Sequence, residues 1–295
     1  MKLLVTGFNG FVAGSVIAQA KGKWEVHGID LAEIPTNDPH IFYHKLDLLD
    51  DKKLTDLFRK IAPDAVIHTA AMANIDVCQN NQERAGQVNI GITKTIARLS
   101  HETGAKMILC STDSVFDGTK GNYCENDTPN PINFYAETKA NAEQIVLSAS
   151  DKNVVTRLSL VMGLPVMGQG NSFLADTIEK LKKGIRIPFP ANEIRTPIDV
   201  ITLGRALLEL AGNQFSGIIH LAGNSKINRY QIAREIAVTL GFSPDLIQST
   251  DSSAMEGRAT RPNDVSMDNS LAKKTLRTPM LSLSEGLELT LNFKI

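Results

Sequence analysis

Tyr135 and Lys139 stand four residues apart in Tyr135-Ala136-Glu137-Thr138-Lys139. On a helix running from Asn133 to about Ser148, that spacing projects both side chains from one face. A nearby ammonium favours the phenolate, so the pair is expected to draw the tyrosine's pKa down toward neutrality. Such a tyrosine gives a proton to a carbonyl oxygen as hydride arrives, or removes one in reverse. Thr112 follows the apolar run Lys106 to Cys110 and offers a neutral hydroxyl donor to the same oxygen. Together the three make a site for hydride transfer at a C–O carbon. Tyr-x-x-x-Lys alone also arises among ordinary helix-surface pairs. Its weight comes from order: glycine turn, strand-end threonine, then the pair before another strand.

A hydride needs a carrier, and the first thirty residues supply one. The strand Lys2 to Thr6 runs into Gly7-Phe8-Asn9-Gly10-Phe11-Val12-Ala13-Gly14, then a helix, then a second apolar run from Trp24 to Ile29 closed by Asp30. This is the strand, glycine turn, helix, strand, acid order of a dinucleotide-binding unit. Gly7 permits the sharp turn, Gly10 lets backbone approach a pyrophosphate, and Ala13 or Gly14 leaves room for the helix to pack on the sheet. The helix's free N–H groups and positive dipole end would hold the phosphates. Asp30 suits the hydroxyls of the adenosine ribose and would repel a 2′-phosphate, which favours NAD(H) and leaves NADP(H) possible.

The remaining elements alternate. A strand spans Ile41 to Leu46. Leu54, Leu57, Phe58 and Ile61 form a helical stripe closed by Pro63, and Asp64 to Ala71 reads as a buried strand running into small residues. One long helix is expected from Gln82 to Glu102, with Val88, Ile92, Ile96 and Leu99 on one face. Strands at Lys106 to Cys110, Asn153 to Leu158 and Gly217 to Leu221 follow, with helices from Asn171 to Lys183, Asp199 to Leu210 and Arg229 to Leu240. Ala32 to Pro39 and Ser249 to Asp264 read as loops, and Gly163, Gly168 and Gly170 as a flexible stretch.

The fold class is therefore α/β, a Rossmann-type doubly wound parallel sheet with a smaller C-terminal α/β lobe. Residues 1–162, joined by 198–222 and part of 265–295, form the dinucleotide-binding domain. Residues 163–264, interrupted by 198–222, form the substrate-binding lobe.

Composition narrows the function classes. The chain has 295 residues, 42% hydrophobic and 21% charged, with a net charge of −1 and no long basic run. No nucleic-acid partner and no membrane partner are expected. The three cysteines, Cys78, Cys110 and Cys124, lack paired spacing and read as free thiols. A core strand beginning at residue 2 leaves no leader, so the expected location is cytoplasmic. The six histidines show no metal spacing, and no G-x-S-x-G elbow suggests a hydrolase. His68 ends a strand near the cofactor turn and reads as packed rather than basic. Arg157 is open between a phosphate contact and a structural salt bridge.

The chain resembles the extended short-chain dehydrogenase/reductases, and among them the dTDP-4-dehydrorhamnose reductase family. The likeness rests on the Gly7 to Gly14 turn, His68 to Ala71, Val88-Asn89, Ser111 to Phe116, Tyr135 to Lys139, Arg157 to Ser159, and Arg261-Pro262 with Asp268. It implies Tyr135 as proton donor, assisted by Lys139 and Thr112. It implies cofactor contacts from Asn9, Gly10, Phe11, Asp30, Asp47, Leu48, Ala71, Met72 and Ala73, added to Gly7, and a nucleotide-sugar substrate facing Thr112 and Asp113. It also implies a homodimer. Leu160 stands where the family carries a tryptophan that packs on the sugar, and leucine lacks the flat aromatic face. Arg261, in the polar segment over the substrate side, is the phosphate candidate.

Three functions fit these residues. The first is an NAD(P)-dependent reductase of a 4-keto nucleotide sugar. The second is an epimerase or dehydratase of the same superfamily, although Ser114 offers no second acid beside Thr112. The third is a regulatory subunit that binds NADP without turnover.

Overall fold

A computed structural model describes residues 1–32, 38–167, 172–255 and 257–294. The parts of the expected Ala32 to Pro39 loop at 33–37, Gly168, Gly170 and the expected helix start at Asn171 lie outside the described residues.

Seven parallel strands form the central sheet: β1 (Lys2–Thr6), β2 (Glu25–Asp30), β3 (Ile41–Lys45), β4 (Ala65–His68), β5 (Lys106–Cys110), β6 (Val154–Leu158) and β11 (Gly217–Leu221). Their spatial order is β11-β6-β5-β4-β1-β2-β3. The chain reverses its direction of travel between β1 and β4, and in a doubly wound sheet ligands bind beyond the strand ends at that point. Leu3, Leu4 and Val5 are wholly buried because helices cover both faces of the sheet. α1 (Phe11–Ala20) and α8 (Val200–Gly212) cover one side. α2 (Asp51–Ile61), α5 (Thr93–Thr103) and α6 (Phe134–Ala149) cover the other.

Local chemistry accounts for the boundaries. Asp50, Asn133 and Asp199 each cap a helix by accepting a backbone N–H of its first turn. α2 stops at Ala62, in the left-handed region at φ 47°, because Pro63 cannot continue the ladder.

Two expectations need correction. The single helix over Gln82 to Glu102 is instead α4 (Gln82–Gly86), a π segment at Gln87–Ile92, and α5, preceded by a short α3 (Ile75–Asn80). The π segment is only six residues long and leaves Val88, Ile92, Ile96 and Leu99 at steps of four, four and three, so periodicity could not see the insertion. The Ser249 to Asp264 loop begins inside a strand, since β13 (Ile247–Thr250) pairs with β8 (Ile187–Pro190). That pair, α7 (Phe173–Lys182) and α9 (Arg229–Thr239) enclose a second apolar core including Leu174, Phe189, Ile232 and Ile236. Short pairs complete this side: β7 (Val161–Met162) with β10 (Ile198–Asp199), and β9 (Ile194–Arg195) with β12 (Ile227–Asn228). The chain ends in α10 (Ser270–Thr275) and α11 (Leu283–Asn292).

Candidate active site

The glycine turn joins β1 to α1 at the switch point. Gly7 has φ 72°, a conformation costly for other residues, and Gly10 N donates to Gly7 O at 2.8 Å. Gly10 is the N-cap of α1 and supplies no side-chain cap, so the first N–H groups of the helix are left for an anion. Of the two small residues expected to let α1 pack, Ala13 is wholly buried in the core shared with the sheet, while a Cβ on Gly14 would lie 2.4 Å from Met167 O. Gly28 in β2 makes room for the Phe8 ring of the turn, which a Cβ there would strike.

A 250 Å³ cavity opens beside this turn, and it brings together Gly7, Asp30, Asp47, Leu48 and Ala71 of the expected cofactor set. Asn9 N donates to Asp30 Oδ2 at 2.9 Å, and Leu31 N to Asp30 Oδ1 at 2.7 Å, so the carboxylate is fixed at the cavity edge. The volume suits one flat ring system rather than a whole dinucleotide, ligand pockets commonly being about 300–1,000 Å³.

His68 is packed. Its Nδ1 meets Thr6 Oγ1 at 2.7 Å and its Nε2 meets Thr93 Oγ1 at 3.1 Å. Thr93 spends its own proton on Asn89 O, so the ring must donate from Nε2 and accept at Nδ1. Burial, the main cause, and then Lys139 lower its pKa to about 3. Asn89, in the π segment, accepts from Met72 N at 2.8 Å and donates to Met72 O and Thr138 Oγ1. It thereby ties the Ala71-Met72-Ala73 loop to α6. Asn89 was part of the motif likeness, but its clamping role depends on the π turn and could not be read from spacing.

Tyr135 and Lys139 lie on the first turns of α6. Tyr135 is half-buried as a residue, but its hydroxyl lies deep enough that burial dominates and pushes its pKa up. The Thr112 side chain opposes this through a hydrogen bond, while Asp113 adds to it. The expected fall toward neutrality is therefore overturned: loss of hydration is the largest influence on the phenol and outweighs the favourable contact. Lys139 is 3% exposed, and burial lowers its own pKa. Its ammonium acts on His68 and Cys110, at the ends of β4 and β5; Glu143 acts on it in turn, but among the described residues no carboxylate lies at ion-pair distance from it.

Thr112 donates to Asp113 Oδ1 at 3.2 Å and accepts from Ser114 N at 3.1 Å. Its proton is thus turned toward Asp113, while its oxygen lies within reach of the Tyr135 hydroxyl. Asp113 is 5% exposed and also accepts from Ser114 Oγ and Ser159 Oγ, with Arg195 Nε 3.9 Å away. Its carboxylate is thus committed to Thr112, Ser114 and Ser159. Leu160 is half-buried against the second apolar core.

Arg157 is structural: it is 1% exposed, ion-paired to Glu143 at 2.8 Å, and stacked on Phe116. Arg261 is held by Asp76 through Nη1–Oδ1 at 2.5 Å and Nη2–Oδ2 at 2.6 Å. Sequence reasoning missed its surroundings. Buried Glu193 gathers Arg195, Arg229 and Arg258 at 3.6, 3.3 and 3.2 Å. Four guanidiniums thus face two carboxylates, Glu193 and Asp76, beyond Asp113. They are scattered from 195 to 261, so no local pattern could have marked them. Among the described residues no cluster could hold a metal ion, and no helix is long and apolar enough to cross a membrane.

Comparison with known proteins places this geometry in context. The RmlD substrate binding domain family matches residues 1–293. The probable low-salt glycan biosynthesis reductase Agl14 of Haloferax volcanii is 28% identical over 294 residues, 97% of this chain and 96% of that protein. Methionine adenosyltransferase 2 subunit beta of Bos taurus is 26% identical over 90% of this chain and 80% of its own length. A hypothetical dTDP-4-dehydrorhamnose reductase from Sulfolobus tokodaii, solved as a crystal structure, superposes with a TM-score of 0.84 at 31% identity, covering 97% of this chain and 99% of its own. From its glycine turn to its last helix, the chain belongs to the RmlD substrate binding domain family, within the extended short-chain dehydrogenase/reductases.

Proposed function

We propose that the protein reduces the 4-keto group of a nucleotide-linked sugar, as the dTDP-4-dehydrorhamnose reductases do, using NADH or NADPH. A bound dihydronicotinamide would supply the hydride to the carbonyl carbon. The oxygen takes the Tyr135 proton, and the products are an alcohol and the oxidised cofactor. One observation carries the reading: among the described residues the buried ammonium of Lys139 has no carboxylate at ion-pair distance, Glu143 acting on it only from further off, and it sits one turn from a phenol whose pKa burial raises. An unpaired buried cation is costly unless a ligand meets it, and the hydroxyls of a nicotinamide ribose would do so. A protonated phenol is the form a proton donor needs.

The remaining residues take roles on the same reading. The N-terminus of α1 holds the pyrophosphate, with Gly7, Asn9, Gly10 and Phe11 lining it. The 250 Å³ cavity takes the adenosine, with Asp30 on its ribose and Asp47, Leu48 and Ala71 around the rest, while Met72 and Ala73 meet the cofactor from the loop that Asn89 holds. Arg195, Arg229, Arg258 and Arg261 carry more positive charge than Glu193 and Asp76 cancel, which suits a sugar diphosphate; Leu160 packs near the sugar. Residues 1–162 with 198–222 and part of 265–295 serve the cofactor, and 163–264, apart from 198–222, serves the substrate.

Dehydration is disfavoured, because Asp113 is engaged by Thr112, Ser114 and Ser159. The likeness to methionine adenosyltransferase 2 subunit beta favours a second reading, binding without turnover. Both are tested by mixing the protein with a dTDP-4-keto-6-deoxy sugar and NADH or NADPH and following loss of dihydronicotinamide absorbance. Turnover that falls about 10²–10⁴-fold in Tyr135→Phe, with cofactor still bound, supports the reductase. Tight cofactor binding with no turnover on any nucleotide sugar supports the subunit instead.

A further inference from the structure

The adenosine cavity has one feature at odds with a site built for NADH alone. Arg84, Val88 and Ile92 line one wall of it, at four-residue steps along α4 and the π segment, and Asp30 lines another. Val88 and Ile92 are the apolar part of that wall, and Arg84 is its exposed end. The other charges at the cavity are committed. Asp30 accepts from the backbone N–H groups of Asn9 and Leu31, and Asp47 from that of Leu49 at 3.0 Å. Glu83, the acid next to Arg84, is bonded by Gln87. Among the described residues the Arg84 guanidinium has no hydrogen-bond or ion-pair partner, although it lines the cavity with two carboxylates.

We propose that Arg84 receives the 2′-phosphate of NADPH and so makes this site accept both cofactors. The inference rests on the nucleotide-binding role given to the cavity above. A 2′-phosphate on a ribose beside Asp30 meets a carboxylate whose charge is already shared with backbone donors, and a planar guanidinium that can bond two phosphate oxygens at once. Asp30 selects for a free 2′-hydroxyl, and Arg84 offsets that selection. The adenine lies against Val88 and Ile92 with either cofactor. NADPH binding should therefore weaken more steeply with added salt than NADH binding, because only the phosphate contact is an exposed charge pair.

The test is equilibrium titration of the intact protein with NADH and NADPH, read by nicotinamide fluorescence, and with 2′,5′-ADP by displacement. In Arg84→Ala the Kd for NADPH and 2′,5′-ADP should rise about tenfold, the scale of one lost charge-assisted contact, while that for NADH moves by less than about twofold. Arg84→Lys should recover part of the loss, since it restores the charge without the planar fork. Equal weakening of both cofactors would overturn the proposal and make Arg84 a partner of the adenine ring. So would unchanged NADPH affinity. A wild-type protein that binds neither nucleotide would instead remove the cofactor reading itself, before any variant is compared.

Discussion

Arg157 grips Glu143 inside the protein, with Nη2 2.8 Å from Oε2 and Nε 3.1 Å from both carboxylate oxygens, and neither side chain reaches solvent. Glu143 lies one helical turn beyond Lys139 on α6, where it would be the natural partner of that ammonium. Arg157, with Ser111 Oγ donating to Oε1 at 2.6 Å, takes the carboxylate's hydrogen bonds, so Glu143 acts on Lys139 only from a distance and leaves the ammonium available to a ligand. Removing only the arginine strands a buried charge. Arg157→Met should therefore cost about 3–5 kcal/mol, measured by denaturant unfolding, whereas Arg157→Met with Glu143→Leu should recover most of that loss. A single variant as stable as wild type would show that the pair is not held as described.

The order in which the active-site protons leave is a second expectation. Burial lowers the Lys139 pKa from its ordinary 10.5 and raises that of Tyr135 above its ordinary 10.0. As pH climbs, the ammonium is lost while the phenol keeps its proton. The alkaline fall in kcat/KM for carbonyl reduction should thus belong to the lysine and move upward in Lys139→Arg, whose group does not titrate. A limb that stayed in place in that variant would assign it to another group.

The sheet and the shared helix face of Tyr135 and Lys139 were legible in the sequence because both are local. Lys106–Cys110 and Gly217–Leu221 are strands over the residues expected from their apolar runs, and Tyr135 and Lys139 share a helix turn because four residues always do. What stayed hidden depends on residues far apart in the chain. Glu193 draws in arginines from three separate segments, Asp113 turns inward because Ser159 and Arg195 arrive behind it, and Asn89 clamps Met72 only because a π turn rotates it there. The sign of the Tyr135 shift failed for the same reason. Spacing reports the neighbouring ammonium, but burial is set by the whole fold and outweighs it.

Stability should fall in acid through the buried histidines. His68 and His220 are almost fully buried, and burial, with Lys139 near the first and Arg157 near the second, lowers both from an ordinary 6.5 to about 3. Between those values the unfolded chain binds protons that the folded chain refuses, so stability drops as pH falls below 6.5. The slope is about 1.4 kcal/mol per pH unit for each ring. His220→Phe, placed against the edge of Phe116, should remove about half of that pair's slope in urea unfolding at successive pH values. An unchanged slope would mean that His220 takes up its proton in the folded state.

The last prediction sets two glycine substitutions against each other. Inside a helix, Gly→Ala ordinarily stabilises by about 1 kcal/mol, because glycine gives up more backbone freedom on folding. Gly86, in α4, has nothing within 4 Å of where a Cβ would stand, so Gly86→Ala should follow that rule and raise the melting temperature. Gly14, in the interior of α1, should reverse it, since its Cβ would meet Met167 O at 2.4 Å and Met167 N at 3.1 Å. Both obstacles are backbone atoms that cannot rotate away, so either α1 or the chain after β7 must shift. A shift of α1 carries the uncapped N–H groups at Gly10 with it. Gly14→Ala should therefore lower the melting temperature and weaken NADH binding together. A variant destabilised with unchanged NADH affinity would show that the strain is taken up at Met167, leaving the phosphate-facing end of α1 in place.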